Sequence, residues 1–332
     1  MSISGHRRSD RGVGGVDRGP PMLSTGRFPL AHTYSIAARD PLSGQLGVAV
    51  ESHWFSVGSM VAWAEAGVGA VATQATIEPG YGPLGLGLMR GGVSAGEALP
   101  RLLATDDGRA LRQVAVVDAA GRAAAHTGGR CIEAAGHLVG DGFSVQANMM
   151  ASSDVWPAMA RAYRACTGEF AERLLAALEG GQAAGGDIRG QQSAAILIVA
   201  ARPSDRPWED TLLELRVEDH PRPLAELRRL VHMQRAYELM NKGDQDLGRG
   251  DVESALACYR TAARMLPSVA ELPFWHAVTL ADLGRLDAAL PIFAKVFGAE
   301  PVWAVLIQRL PKVGLLSDDP AMMRRILATL PG

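Results

Sequence analysis

Lysine is almost missing from this chain of 332 residues: among 33 basic residues only Lys242, Lys295 and Lys312 are lysines, and the rest are arginines. No lysine precedes residue 242, so the larger part of the chain has none to act as Schiff-base former or general base. Cysteine is nearly as scarce. Cys131, Cys166 and Cys258 are too few and too scattered for a disulfide framework, which suits a reducing, cytoplasmic setting. No apolar run approaches the roughly 20 residues that span a bilayer, and residues 1–32 lack the apolar stretch of a secretory signal. Excess charge is missing too: a formal net charge of −2 leaves no basic footprint for nucleic acid.

What is present is core. Hydrophobic residues make up 48% and charged residues 20%, the balance of a globular chain with enough length for two domains. The high share of arginine, glycine and alanine fits coding from a GC-rich, bacterial genome.

Three regions separate along the chain. Residues 1–32 are rich in glycine, with five arginines against two aspartates, and read as a disordered leader. From Thr33 strand patterns begin. Segments 33–40 and 45–51 form a hairpin around the turn residues 41–44, followed by strands over 60–65 and 68–76. Ser94 and Glu97 make a capping box that opens a helix running to Leu103. Strand signals return at 113–119, 122–128 and 143–148. Helices follow from a cap at Ser153 and over 169–182, and two more strands occupy 193–200 and 211–217. Blocks of adjacent strands favour antiparallel pairing, and paired helices form outer layers, which fits a stacked helix–sheet–sheet–helix order.

Beyond Pro223 the chain is helical and repeats. At a separation of 34 residues, Gly250 matches Gly284, Ala255 matches Ala289, Tyr259 matches Phe293 and Pro267 matches Pro301. Gly243 and Ala277 take the small position where two antiparallel helices meet. This period resembles the tetratricopeptide repeat, with residues 302–330 as a degenerate terminal pair.

Several motifs offer chemistry. Gly80, Gly82 and Gly85 satisfy GxGxxG spacing, but Pro83 removes a donor and the parallel-sheet context is missing, so a structural glycine-rich turn is expected. His126, Cys131 and His137 lack the spacing of a zinc site, and no HExxH motif accompanies them; no metal or other cofactor is expected. No G-x-S-x-G elbow occurs. The polar cluster 51–56 (with Ser52, His53 and Ser56) sits just after the second strand as a candidate pocket lining. The run GGDIRGQQSAA at 185–195 places Asp187 and Arg189 in a short loop, as an ion pair or as groups that orient a substrate or nucleophile.

Five segments carry a resemblance: TYSIAARDPLSGQLGVAVESHWFSVGS (33–59), AGVGAVATQATIEPGYGPLGL (66–86), QVAVVDAAGRAAAHTG (113–128), FSVQANMM (143–150) and AGGDIRGQQSAA (184–195). Together they resemble the domain-of-unknown-function family 1028, which is similar in fold to the N-terminal-nucleophile (Ntn) hydrolases. The resemblance implies a four-layer αββα sandwich over 33–225, of class α+β, followed by the all-α repeat domain over 226–332. It also implies an amide-bond hydrolase in which a Thr at the head of the first strand attacks a carbonyl and its own α-amino group is the base.

The matching position is Thr33. On this reading His53, Asp187 and Arg189 join Thr33 as catalytic residues, and Ser52, Ser56, Thr73, Gln74, Asn148 and Gln192 line the substrate pocket. Thr33 is internal, so the chemistry requires removal of residues 1–32. The lysine that proteasome-type relatives place beside the nucleophile is missing. Arginine cannot replace it as a proton acceptor, its pKa lying above about 12. The alternative is a non-catalytic scaffold that keeps the pocket and binds through its repeats. A small amide or peptide is the expected substrate and a protein partner is expected on the repeats, with no nucleic acid and no membrane; a homo-oligomer is compatible with either reading.

Overall fold

The computed structural model describes residues 33–331 and, before them, the backbone of Leu30–Ala31. The expected disordered leader otherwise lies outside the described residues. In chain order the strands are β1 (Leu30–Ala31), β2 (Thr33–Arg39), β3 (Leu46–Ser52), β4 (Ala62–Glu65), β5 (Gly69–Thr76), β6 (Arg112–Asp118), β7 (Ala123–Thr127), β8 (Gly136–Gly140), β9 (Phe143–Ala147), β10 (Ser193–Val199) and β11 (Thr211–Val217). The helices are α1 (Gly58–Val61), α2 (Tyr81–Arg90), α3 (Ala95–Ala104), α4 (Val155–Ala165), α5 (Phe170–Ala183), α6 (Pro223–Gly248), α7 (Val252–Met265), α8 (Glu271–Asp282), α9 (Leu286–Ala299), α10 (Val302–Ile307) and α11 (Pro320–Leu327).

Every described strand pair is antiparallel. One sheet runs β1-β5-β6-β7, with β4 also on β5; the other runs β11-β10-β3-β2-β9-β8. Alternation along β2 sorts its side chains onto two faces. Tyr34, Ile36 and Ala38 join a core with Met159, Leu174 and Leu178 of α4 and α5. On the other face Ala37, with Val48 and Val50 of β3, meets Ala70 and Ala72 of β5 and Ala115 of β6, between the two sheets. The outer face of the first sheet is covered by α2 and α3, through Tyr81, Leu86, Leu99 and Leu102. Because β3 is covered on both faces, all seven of its residues are buried. Gly47 is needed there, since a Cβ would come within 2.8 Å of the Leu197 carbonyl oxygen on β10.

Local chemistry sets several boundaries. In the β2–β3 hairpin, Asp40 accepts hydrogen bonds from the backbone N–H of Ser43 at 2.9 Å and from its hydroxyl at 2.6 Å, and Gly44 takes the left-handed φ of 76°. The capping box at Ser94 forms, with Glu97 accepting from the Ser94 N–H at 3.2 Å and from its hydroxyl at 2.7 Å. The cap of α4 is Asp154 rather than Ser153.

Other elements depart from expectation. The strand expected over 60–65 begins only at Ala62, because α1 takes Gly58–Val61. The glycine-rich stretch at 80–85 is not a turn but the start of α2. Gly82 lies so close to Trp63 that a Cβ would meet the indole at 2.3 Å, so its glycine serves helix–sheet approach. Strand β8, and the pairing of Leu30–Ala31 with Ala75 and Thr76 inside the expected leader, were not legible from periodicity.

The C-terminal region is helical throughout. α6 begins on the core of the β-sheet region through Leu224, Leu227 and Val231, and continues into a separate helical core from Ala236. There Tyr259, Phe274, Phe293 and Phe297 are fully buried. Gly243 lets α6 and α7 approach: a Cβ would lie 2.4 Å from the Tyr259 ring.

Candidate functional site

Thr33 opens β2, and its register partner across the hairpin is Ser52, the last residue of β3. Both are fully buried, and the Thr33 hydroxyl donates to Ser52 Oγ at 3.2 Å. Alternation aims both toward the space between the sheets, at one end of the sandwich.

A set of amides surrounds Thr33. Its carbonyl oxygen accepts from Gln74 Nε2 at 2.8 Å, from the Asn148 N–H at 3.1 Å and from Asn148 Nδ2 at 3.3 Å. Gln74 Nε2 and Asn148 Nδ2 also donate to Gln113 Oε1, at 2.7 and 2.9 Å. Gln113 Nε2 in turn reaches the Ala147 carbonyl and Thr127 Oγ1, both at 2.9 Å. Ser35 donates to Gln74 Oε1 at 2.6 Å and accepts from Gln146 Nε2 at 3.2 Å. The amide side chains come from three strands, β5, β6 and β9, on two sheets, so only tertiary pairing assembles them. A low-dielectric interior rewards such a network only when its members are satisfied.

Backbone strain concentrates nearby. Ala75, next to Gln74, has φ of 69°; Met149, next to Asn148, has φ of 60°; Ser56, in the loop after β3, has φ of 57°. Non-glycine residues in the left-handed region are uncommon, and such strain gathers at functional sites.

On the opposite face of the six-stranded sheet lies an acidic pair. Asp187 is buried, and its Oδ2 accepts from Arg189 Nη2 at 2.7 Å and from the His53 N–H at 3.3 Å, while Oδ1 accepts from the Arg189 N–H at 2.9 Å. Asp187 and Arg189 therefore form the loop ion pair, and they hold the start of the 53–56 segment. Glu51, paired in register with Tyr34, is fully buried with no hydrogen bond inside standard geometry to either carboxylate oxygen. Burial first, and the nearby Asp187 charge second, push its pKa well above the usual carboxylate value. Glu51 thus sits, with its pKa raised, beside the Tyr34 hydroxyl, which itself donates to Gln182 at 3.0 Å.

The expected site residues therefore divide. Thr33, Ser52, Gln74 and Asn148 converge. His53 does not hydrogen-bond Thr33; its ring lies toward Gly190, with a buried Nδ1 that has no partner. Thr73 points to the other face of β5 and donates to the Glu78 carbonyl at 3.3 Å. Ser56 bonds Ser59 and Arg216, and the Gln192 side chain reaches Asp219 at 3.0 Å, so neither faces Thr33. Gln113 escaped sequence reasoning as a site residue, and Glu51 stood only within the expected 51–56 pocket-lining cluster. Gln113 stands at the head of the apolar run VAVV in β6, where an uncharged polar residue among strand-forming apolar ones was the available signal.

His126, Cys131 and His137 do not converge as ligands: they bond the Arg109 carbonyl, the Arg112 carbonyl and Thr127 Oγ1, respectively. Among the described residues no group of three or more His, Cys, Asp or Glu is placed to hold a metal ion. Cys131 and His137 do line an open cleft of about 560 Å³ with Trp156. Thr127 connects it to the Thr33 network, through Gln113 on one side and His137 Nδ1, at 2.8 Å, on the other. No described helix is long and apolar enough to cross a membrane.

Two packed antiparallel sheets flanked by helices, with a buried Thr–Ser–amide cluster at one end, define a mixed α/β protein with a helical C-terminal region. The chain belongs to the family of unknown function DUF1028, whose match covers residues 33–227. It is similar to the crystal structure of a protein from Silicibacter pomeroyi described under the same family, at 33% identity and a TM-score of 0.55, over 60% of this chain and 84% of that one. No curated protein matches.

Proposed function

We propose that this chain is an Ntn-type amidohydrolase that cleaves a small amide or peptide bond with Thr33, once the residues before it are removed. The observation that carries this reading is the position of Thr33: it heads a central strand, its hydroxyl is hydrogen-bonded to Ser52, and buried amides hold its carbonyl. The helix–sheet–sheet–helix packing supports an Ntn-like sandwich, and the close approach at Gly243 supports a tetratricopeptide-like pairing of α6 and α7.

In the mature protein the freed α-amine takes the hydroxyl proton as Oγ1 adds to the substrate carbonyl. The amine leaving group departs with that proton, and water then cleaves the ester. The peptide nitrogen of the unprocessed chain cannot act as that base, which forfeits a general-base factor of about 10²–10⁴. Ser52 is placed to orient the hydroxyl. Asp187 and Arg189 act at a distance, by fixing the segment after Ser52.

The burial of Thr33 favours a second reading, a non-catalytic binding protein. The two separate by experiment. On the hydrolase reading, protein isolated from its native host has an intact mass starting at Thr33 and takes up one equivalent of a β-lactone electrophile, while Thr33→Ala takes up none. An unprocessed mass with no adduct supports the binding protein instead.

A further inference from the structure

Among the described residues β11 closes one end of the six-stranded sheet, hydrogen-bonded to β10 on one side and to no strand on the other. Such an edge leaves the N–H and C=O groups of alternate residues unpaired, a template for another strand. Alternation sorts its side chains onto two faces. Leu213, Leu215 and Val217 turn to the core shared with α5 and α6, whereas Leu212, Glu214 and Arg216 take the other face. Leu212 and, just before the strand, Trp208 are exposed apolar side chains at this edge.

Its charge pattern separates β11 from the other described strands that have a single partner. β1, β7 and β8 contain no Asp, Glu, Lys or Arg, and β4 contains only Glu65; β11 carries Glu214 and Arg216 on one face. Charge usually protects an edge, because two copies set like against like. The order along β11 permits one exception. A two-fold axis perpendicular to the sheet places each residue opposite one of the same face, so the axis passes through a residue. Through Glu214 or Arg216 it would set like charges directly opposite. Through Leu213 it would set Glu214 against Leu212 and leave the charges without a cross-strand partner in β11. Axes nearer either end overlap too little of the strand. Through Leu215 it sets Glu214 against the partner's Arg216 and, by symmetry, Arg216 against the partner's Glu214. Leu213 then faces the partner's Val217, so the apolar face continues across the junction.

We infer that β11 is a homodimer interface, in which two copies pair it antiparallel about Leu215 and join their six-stranded sheets into one. The ladder supplies the bonds that the edge lacks, and the two Glu214–Arg216 pairs fix the register. Within one chain Arg216 pairs with Glu218 at 2.7 Å, lies 4.0 Å from Glu214 and donates to Ser56 Oγ at 3.1 Å. Its side chain is still 32% exposed and that of Glu214 56%, so both are within reach of a second copy. This interface is independent of the chemistry at Thr33.

The test is light scattering on the full chain, which should give twice the chain mass and fall toward one chain on dilution. Glu214→Arg should weaken the dimer by at least about tenfold, because it sets like charges directly opposite at two places. Arg216→Glu should do the same with the opposite sign. The deciding measurement mixes these two variants. Each is monomeric alone, but together they restore opposite charges at both places. A mixed dimer should therefore form, seen by native mass spectrometry with one variant isotopically labelled. Arg309→Glu, in the helical region, should leave the dimer unchanged. If Arg216→Glu fails to fold by circular dichroism, hydrogen exchange replaces the mixing. Amides of 211–217 should then gain protection as the unaltered chain is concentrated, and gain none in Glu214→Arg. A chain still monomeric at about 100 µM would overturn the inference. So would a dimer indifferent to both substitutions, folded variants that fail to pair on mixing, or protection of β11 that does not change with concentration.

Discussion

Thr33 and Ser52 face each other across the β2–β3 hairpin with their hydroxyls 3.2 Å apart, both fully buried. The Thr33 hydroxyl donates and the Ser52 oxygen accepts, so Ser52 fixes the direction in which the Thr33 oxygen presents its lone pairs. Replacing Ser52 by Ala removes that orientation while costing stability only about 1 kcal/mol, the net worth of one ordinary hydrogen bond. On the hydrolase reading, the rate of β-lactone labelling at Thr33 in protein beginning at that residue should fall by about 10-fold or more, whereas the thermal midpoint should change little. An unchanged labelling rate would remove Ser52 from the mechanism.

Gln113 is the junction of the amide network, accepting from Gln74 and Asn148 and donating to Ala147 and Thr127. Gln113→Leu removes one acceptor from each of Gln74 and Asn148 and the donor to the Ala147 carbonyl and Thr127. A loss of about 2–4 kcal/mol is expected in urea denaturation, larger than for an isolated hydrogen bond because several groups lose partners together. A loss below about 0.5 kcal/mol would show that the network relaxes around the change.

Glu51 yields a pH dependence with a definite sign. Its folded pKa is raised well above the ordinary carboxyl value of 4.5. As pH rises past 4.5 the unfolded state loses this proton while the folded state keeps it, so this group's contribution falls with rising pH until the folded pKa is reached. Glu51→Gln removes the titration. The variant should match the parent near pH 4 and become progressively more stable than it between pH 5 and 8, read from thermal midpoints across that range. Parallel pH profiles for the two proteins would contradict a raised Glu51 pKa.

Gly82 sits where α2 meets Trp63, with a Cβ position 2.3 Å from the indole. Gly82→Ala raises intrinsic helix propensity yet forces α2 away from β4. Overpacking should win, destabilising the protein by about 1–3 kcal/mol in denaturant titration, because the indole and the strand beneath it have little room to move. Gly87→Ala, in the same helix with no atom near its Cβ position, should instead be neutral or mildly stabilising.

Much of the fold was legible from the residues themselves. The turn chemistry of Asp40–Gly44, the capping box at Ser94 and Glu97, and the apolar periodicity of β10, β11, α4 and α5 are local signals, and the elements lie within a residue or two of where those signals put them. Where reading failed, a tertiary contact had overridden a local preference. Gly80, Gly82 and Gly85 look like a loop, but the Trp63 ring makes glycine the residue that lets a helix pack there. In β8, GHLVG, only every second side chain faces the protein, so five residues carry too little apolar signal to mark a strand.

By itself the sequence determined most of the order of strands and helices and the helical C-terminal third with its 34-residue period, which follow from periodicity, capping and residue type acting over a few positions. Thr33 as the residue to examine came from the family resemblance. Only the tertiary structure decided that Gln74, Gln113 and Asn148 meet at Thr33, that Thr73, Ser56 and Gln192 turn elsewhere, and that Glu51 is buried with its pKa raised. Those outcomes depend on which strand ends the two sheets bring together, and on which face of each strand a side chain takes. Register and packing over more than a hundred residues set both, and no local pattern encodes them.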